Sequence, residues 1–175
     1  LFEHAKIGAG AKVLVLGASG GVGLFALSLT RKLGATAVGV CSTRNVALVE
    51  RHGAKAIDYT SGDALALARE HGPFDLIFHA VGTATYPLRA CRALLSPRGI
   101  VDLAVVRGAD VLSIAFLRSV RTVLGKPTRE RLAPLVDALA KGELTPIIEA
   151  KLPLKEAERA HQISKAGKVV GKLLL

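Results

Sequence analysis

Val13-Leu14-Val15-Leu16-Gly17-Ala18-Ser19-Gly20-Gly21-Val22-Gly23 passes from an apolar run through a glycine turn into a second apolar stretch, residues 22–33, closed by Gly34. A continuous run of Val and Leu is the pattern of a parallel strand buried on both faces. Glycines let a turn bring backbone N–H groups close to phosphates, and the helix that follows presents its positive end. Strand, turn and helix together predict a dinucleotide site in which Gly17, Ser19, Gly20, Gly21, Val22 and Gly23 surround a diphosphate. The same turn can also serve only to pack a helix tightly on a strand, and both readings stand at this point. The glycines fall at 17, 20 and 23, so the pattern is G-x-x-G-x-x-G, not G-x-G-x-x-G. No Lys-Ser or Lys-Thr follows them, which removes a P-loop and phosphoryl transfer.

Outward from this stretch, strand and helix signals alternate along the whole chain at crossover spacing. Strands are expected over residues 13–17, 37–41, 56–59, 74–80, 99–106 and, at the sheet edge, 121–124. The helices between them are expected over 22–33, 44–52, 63–71 and 86–95, the last stopped by Ser96-Pro97. A short helix over 111–117 follows. Another begins at Pro127-Thr128 and continues through Leu132, Leu135, Val136 and Leu139 to Gly142. The tail offers Ile147-Ile148, a helix over 154–164 and a closing strand over 172–175; residues 1–7 read as the end of an arriving helix. The expected fold is α/β: a doubly wound parallel sheet, the Rossmann fold, of about six strands with helices on both faces, occupying residues 1–175 as one domain.

Composition agrees with that class. Half of the 175 residues are hydrophobic but only 4% are aromatic, as suits parallel strands of Val, Leu and Ile covered by helices. The net charge of +10 comes from Lys and Arg spread along the chain instead of gathered in a block. With few aromatics and no basic-aromatic stripe, no nucleic-acid partner is expected. No Asp or Glu stands between Glu3 and Glu50, so the glycine turn and second strand lie in an acid-free neighbourhood that favours a phosphorylated ligand. Cys41 and Cys91 make no disulfide framework, and no run approaches the ~20 apolar residues of a membrane span. A cytoplasmic protein without a membrane partner is expected. The five histidines, 4, 52, 71, 79 and 161, show no paired spacing, so no metal ligands are assigned and His79 reads as a satisfied core residue. Methionine is missing even at position 1, so the chain is expected to be a piece of a longer polypeptide.

The end of the second strand chooses the cofactor. An NAD site places an acid there for the ribose hydroxyls, whereas this chain has Cys41-Ser42-Thr43-Arg44-Asn45. Ser42 and Thr43 offer hydroxyls and Arg44 a fixed cationic fork, the chemistry of a 2′-phosphate. NADP(H) is the expected cofactor. Ser42 or Thr43 could equally cap the helix beginning at Arg44, a role compatible with the first.

These residues, with His52-Gly53-Ala54, Ala56-Ile57-Asp58-Tyr59, Phe74-Asp75-Leu76-Ile77, Ala80-Val81-Gly82 and the closing Gly171-Lys172, resemble the cofactor-binding half of medium-chain dehydrogenase/reductases. The branch resembled is the zinc-independent quinone oxidoreductases, the zeta-crystallin-like group, along nearly the whole chain. The resemblance implies NADPH as hydride donor to a quinone or to the activated double bond of an enone or enal. It implies that Gly20, Gly21 and Val22 cradle the diphosphate and that Ser42 and Arg44 hold the 2′-phosphate. Tyr59 either assists them or is only a partly buried ring at a strand end. Val81, Gly82, Leu103 and Val105 would lie against the ribose and nicotinamide. Some relatives carry a C-terminal Arg that reaches the phosphate; here Gly167-Lys168 makes Lys168 the candidate.

The family's catalytic GroES-like domain, which precedes this segment and carries the substrate pocket, is absent, so no catalytic residue is assigned and the fragment alone should turn over little. The resemblance also implies a homodimer through the edge strand at 121–124. A non-catalytic NADP-binding sensor and a zinc-independent alcohol dehydrogenase-like reductase are the alternatives. The Tyr-x-x-x-Lys of short-chain reductases is absent, since Asp63 follows Tyr59 and Ala90 follows Tyr86 at that distance. A methyltransferase would want an acid after the second strand.

Overall fold

The computed structural model describes residues 7–108, 110–122, 128–167 and 169–175. Six parallel strands form the main sheet: β1 (Lys12–Leu16), β2 (Thr36–Cys41), β3 (Ala54–Asp58), β4 (Phe74–His79), β5 (Leu95–Leu103) and β6 (Val120–Thr122). Their spatial order is β3-β2-β1-β4-β5-β6, so the chain reverses direction across the sheet between β1 and β4. Connections are α1 (Gly21–Lys32), α2 (Val46–Arg51), α3 (Ala64–Arg69), α4 (Leu88–Arg92) and α5 (Asp110–Phe116). The doubly wound fold expected from the alternating pattern is the one observed.

Alternating side chains that are buried on both faces explain why the central strands β1, β2 and β4 are apolar along most of their length. Leu14, Leu16, Val38, Val40 and Ile77 project to one face, where they meet Ala64 and Ala68 of α3 and Cys91 of α4. Val13, Val15, Leu76 and Phe78 project to the other, against Ala26 and Leu27 of α1 and Val49 of α2. Both faces are thereby removed from water, the main favourable contribution to folding a sheet of this kind.

Element ends depart from expectation at two places in particular. Ser96-Pro97 does not stop a helix: α4 ends at Arg92, and the two residues lie inside β5, where the register shifts between Phe74 and Leu76. A bulge lets a strand take a proline, and the Ser96 hydroxyl donates to Asp75 Oδ1 at 2.8 Å. The helix expected from Arg44 instead opens with a 3₁₀ turn, Thr43–Asn45, before α2. No side chain caps either piece, so the capping role considered for Ser42 and Thr43 is not the one they play. At the sheet edge, β6 is observed over Val120–Thr122, while positions 123 and 124 of the expected strand, with Pro127, lie outside the described residues. Residues 1–6 of the expected arriving helix do so as well.

Helix α6 (Arg129–Ala140) is capped by the Thr128 hydroxyl, which accepts from Arg131 N–H. The tail then forms β7 (Ile148–Lys151), α7 (Ala157–Lys165) and β8 (Lys172–Leu174). Strands β7 and β8 pair in parallel as a separate ribbon. The ribbon is latched to the glycine turn, where Gly171 N–H donates to Ser19 O at 3.1 Å and Gly20 bridges Gly171. Among the described residues no helix is long and apolar enough to cross a membrane.

Candidate functional site

At the switch between β1 and β4 the strands' carboxyl ends open into a crevice of about 520 Å³, the position where open α/β sheets take ligands. Gly17, Ser19 and Gly20 line it from the turn after β1; Ser42 and Arg44 line it from the turn after β2. Tyr59 contributes from the end of β3 and Val81 from the end of β4. The glycine-turn residues and the residues that follow β2, distant in sequence, thus face one cavity.

The glycines divide their work. Gly17 adopts φ +86°, the left-handed region, and a Cβ there would come within 2.8 Å of Val81 Cγ2. Gly20 would meet only Gly17 O, at 3.4 Å, so its crevice side stays open to an approaching ligand. The Cβ positions of Gly21 and Gly23 point instead into neighbouring backbone. A Cβ on Gly21 would fall 2.6 Å from Gly171 O, and one on Gly23 would overlap Gly17 O and lie 2.9 Å from Ala18 C and Cα. Those two glycines let α1 approach the tail ribbon and the end of β1 closely. Val22 is half exposed on the first turn of α1 and does not line the crevice. Helix α1 begins after Gly20 with neither a side-chain cap nor an acid in its first turn, so no carboxylate there opposes an anion at its positive end.

After β2, the Ser42 hydroxyl accepts from Asn45 Nδ2 at 3.3 Å, and the same amide donates to Ser19 Oγ at 3.0 Å. Thr43 lies elsewhere than expected: its hydroxyl sits 2.6 Å from that of Thr60, and Thr60 donates its N–H and O–H to Asp58 Oδ1 at 2.9 and 2.7 Å. Hydrogen bonds from Thr43 and then Thr60 hold the Asp58 carboxyl below its ordinary value. That carboxylate is engaged with the threonines and is not among the groups lining the crevice. Tyr59 is 51% exposed at the crevice, anchored by its N–H to Cys41 O at 3.0 Å.

At the other end, Gly82 takes φ +103° beside Val105, which is 44% exposed at the end of the β5 edge. Leu103 departs from expectation: it is fully buried among the core residues on the α3–α4 face of the sheet, so it supports the edge and does not reach a ligand. Lys168 lies outside the described residues.

Residues to which the sequence reading gave no ligand role also line the wall, among them Asn45, Thr85, Tyr86, Gly167 and Val169. Fully buried His79 fixes the loop that carries Val81 and Tyr86. Its Nδ1 accepts from Gly82 N–H at 3.3 Å, which leaves Nε2 to donate to Tyr86 O at 2.9 Å. Burial holds this imidazole below its ordinary value, against the opposing influence of the Tyr86 carbonyl and Asp110. Asp110 steadies the adjoining loop by accepting from Arg107 N–H at 2.8 Å and the Thr83 hydroxyl at 3.2 Å.

The donor set fits a dinucleotide carrying an extra phosphate. Hydroxyls, a guanidinium and a helix N-terminus converge, and no Asp or Glu lines the crevice among the described residues. Cys41 and Cys91 are buried, and burial is the main cause of both thiols being pushed up to about 11, which keeps them from acting as thiolates. Among the described residues no three His, Cys, Asp or Glu side chains form a metal-holding group.

Comparison with known proteins agrees with this geometry. The zinc-binding dehydrogenase family matches residues 52–175. The mitochondrial NAD(P)H oxidoreductase RTN4IP1 of Bos taurus is 31% identical over 95% of this chain and 48% of its own length. The chloroplastic quinone-oxidoreductase QR1 of Triphysaria versicolor is 31% identical over 97% of this chain and 54% of its own. The chain therefore spans about half the length of the curated relatives it matches. Among solved structures, the quinone oxidoreductase from Coxiella burnetii superposes with a TM-score of 0.89 at 27% identity, covering 98% of this chain and 54% of that one. The chain belongs to the zinc-binding dehydrogenase family, as the Rossmann-type cofactor-binding domain of a medium-chain dehydrogenase/reductase.

Proposed function

We propose that this chain is the NADP(H)-binding domain of a zinc-independent oxidoreductase that transfers hydride from NADPH to a quinone or an activated enone or enal. The observation that carries the cofactor choice is the placement of Ser42 and Arg44 in the same crevice as Ser19 and Gly20, with no acid at the end of β2. In this reading Gly20, Ser19 and the first N–H groups of α1 hold the diphosphate, and Ser42 and Arg44 hold the 2′-phosphate. Val81, Gly82 and Val105 flank the ribose and nicotinamide. When bound, the dinucleotide supplies the hydride. This chain's residues bind it, orient it and leave one side of the nicotinamide end for a substrate-bearing domain. A mycobacterial relative of the same fold, with a TM-score of 0.75 and 26% identity, is known in complex with NADPH, which supports the cofactor class. Without a domain to position the acceptor, turnover by the isolated chain should be slight.

Calorimetric titration tests the assignment. NADPH should bind more tightly than NADH, and Arg44→Ala should weaken NADPH by about tenfold or more while leaving NADH nearly unchanged, since a charge-assisted phosphate contact is lost. Equal affinities insensitive to the substitution would remove the NADP assignment.

A homodimer through β6 belongs to the same proposal. Beside this terminal strand lies a cavity of about 440 Å³ whose lining includes Ile114, Leu117 and Val120, and an uncovered edge invites pairing. Light scattering should return twice the chain mass; a monomer mass at micromolar concentration would remove the dimer.

A further inference from the structure

The amide of Asn45 connects two loops that the proposed reading assigns to different phosphates. Ser19 belongs to the turn after β1, on the diphosphate side; Ser42 ends β2, on the 2′-phosphate side. Asn45 is 93% removed from solvent, at 7% exposure, and donates through Nδ2 to both hydroxyl oxygens, at 3.0 and 3.3 Å. A serine hydroxyl has one proton to donate and can accept as well. When its oxygen already accepts from Asn45, its own proton is left to point into the crevice that both serines line. The amide therefore makes two ambivalent hydroxyls into donors, the only role useful toward a phosphate oxygen.

We propose that Asn45 is a positioning residue for the dinucleotide: it fixes Ser19 and Ser42 as paired donors and couples the diphosphate subsite to the 2′-phosphate subsite. This rests on the NADP(H) reading above. In this reading Asn45 acts through the two serines. Its position in a 3₁₀ turn, Thr43–Asn45, without a side-chain capping bond, leaves the amide to the two serines instead of to the start of α2.

Calorimetric titration of NADPH and NADH into the full chain and its variants tests the coupling. Asn45→Ala should weaken NADPH by about tenfold and NADH by less, because NADH engages only the Ser19 side. In a Ser19→Ala, Ser42→Ala background the same substitution should change neither affinity, which a purely structural role would not produce. Asn45→Asp keeps the volume but replaces the two N–H donors by acceptors. It should weaken NADPH more than Asn45→Ala, and far-UV circular dichroism should show it folded. Loss of the same size with and without the two hydroxyls, or unchanged NADPH affinity in Asn45→Asp, would overturn the coupling while leaving the cofactor assignment standing. Failure of the parent chain to bind either nucleotide would overturn both.

Discussion

Gly23→Ala should cost about 3 kcal/mol of stability or more, and the surviving folded protein should bind NADPH at least about tenfold more weakly. The added methyl would overlap Gly17 O and lie 2.9 Å from Ala18 C and Cα. All three are backbone atoms at the end of β1, which is buried and held on both sides by β2 and β4. They cannot swing aside as a side chain end can, so α1 must lift away from the sheet. Lifting separates Leu27 and Ala26 from Val13 and Val15 and moves the helix N-terminus that faces the crevice. Gly62→Ala is the control: nothing lies within 4 Å of its Cβ position, and its effect should stay within about 0.5 kcal/mol. Urea unfolding midpoints of the two variants against the parent measure the difference. A Gly23→Ala protein as stable as Gly62→Ala would mean that helix and strand are not in the close contact described.

The same glycine shows what the sequence could and could not disclose. Its spacing from Gly17 and Gly20 predicted a strand-turn-helix unit. It did not disclose that only Gly17 and Gly20 face the ligand side, because that depends on how α1 and the tail ribbon close around Gly21 and Gly23. The fold class followed from apolar runs alternating with helical stretches, a local signal repeated along the chain, whereas the strand order β3-β2-β1-β4-β5-β6 depends on pairings distant in sequence. Ser96-Pro97 was misjudged because a proline after a helical stretch has two uses. Only the Phe74–Leu95 pairing shows that it sits in a bulge. Arg44 and Ser42 were legible because their chemistry is distinctive and they follow a strand directly. Asn45, Tyr86 and Val169 were not: Asn45 gains its place from Ser19 and Val169 from the ribbon latched to Gly20, both distant in sequence, and Tyr86 from a loop folded back onto His79, which no residue pattern announces. Leu103 was assigned to the ligand as part of the fifth-strand end, yet it is the last residue of β5 and packs in the core, while Val105, past the end of the strand, is exposed.

His79→Ala should lower stability by about 3 kcal/mol or more and weaken NADPH binding, although the residue does not line the crevice. The side chain is fully buried and joins two backbone groups across one loop, Gly82 N–H and Tyr86 C=O. Truncation leaves the buried Gly82 N–H unpaired and Tyr86 C=O with only the weak Cys91 thiol donor at 3.9 Å, the amide alone costing about 1–3 kcal/mol, and opens a cavity besides. The loop between them carries Val81 and Thr85 to the crevice wall, so affinity should fall with stability. The hydrogen bonds also fix a pH dependence. Accepting from Gly82 requires a neutral ring, and burial holds the folded-state value below the ordinary 6.5. Below that value the unfolded chain takes up a proton at this site while the folded one resists it, so the unfolded state binds more protons and stability rises with pH. The contribution is complete above about pH 6.5 and is lost as pH falls from there toward the lower folded-state value. Urea midpoints between about pH 5 and 8 should fall on the acid side for the parent. The fall should be shallower in His79→Gln, which keeps polar atoms but does not titrate. Parallel pH profiles for the two proteins would show that the imidazole is not held neutral by the loop it ties.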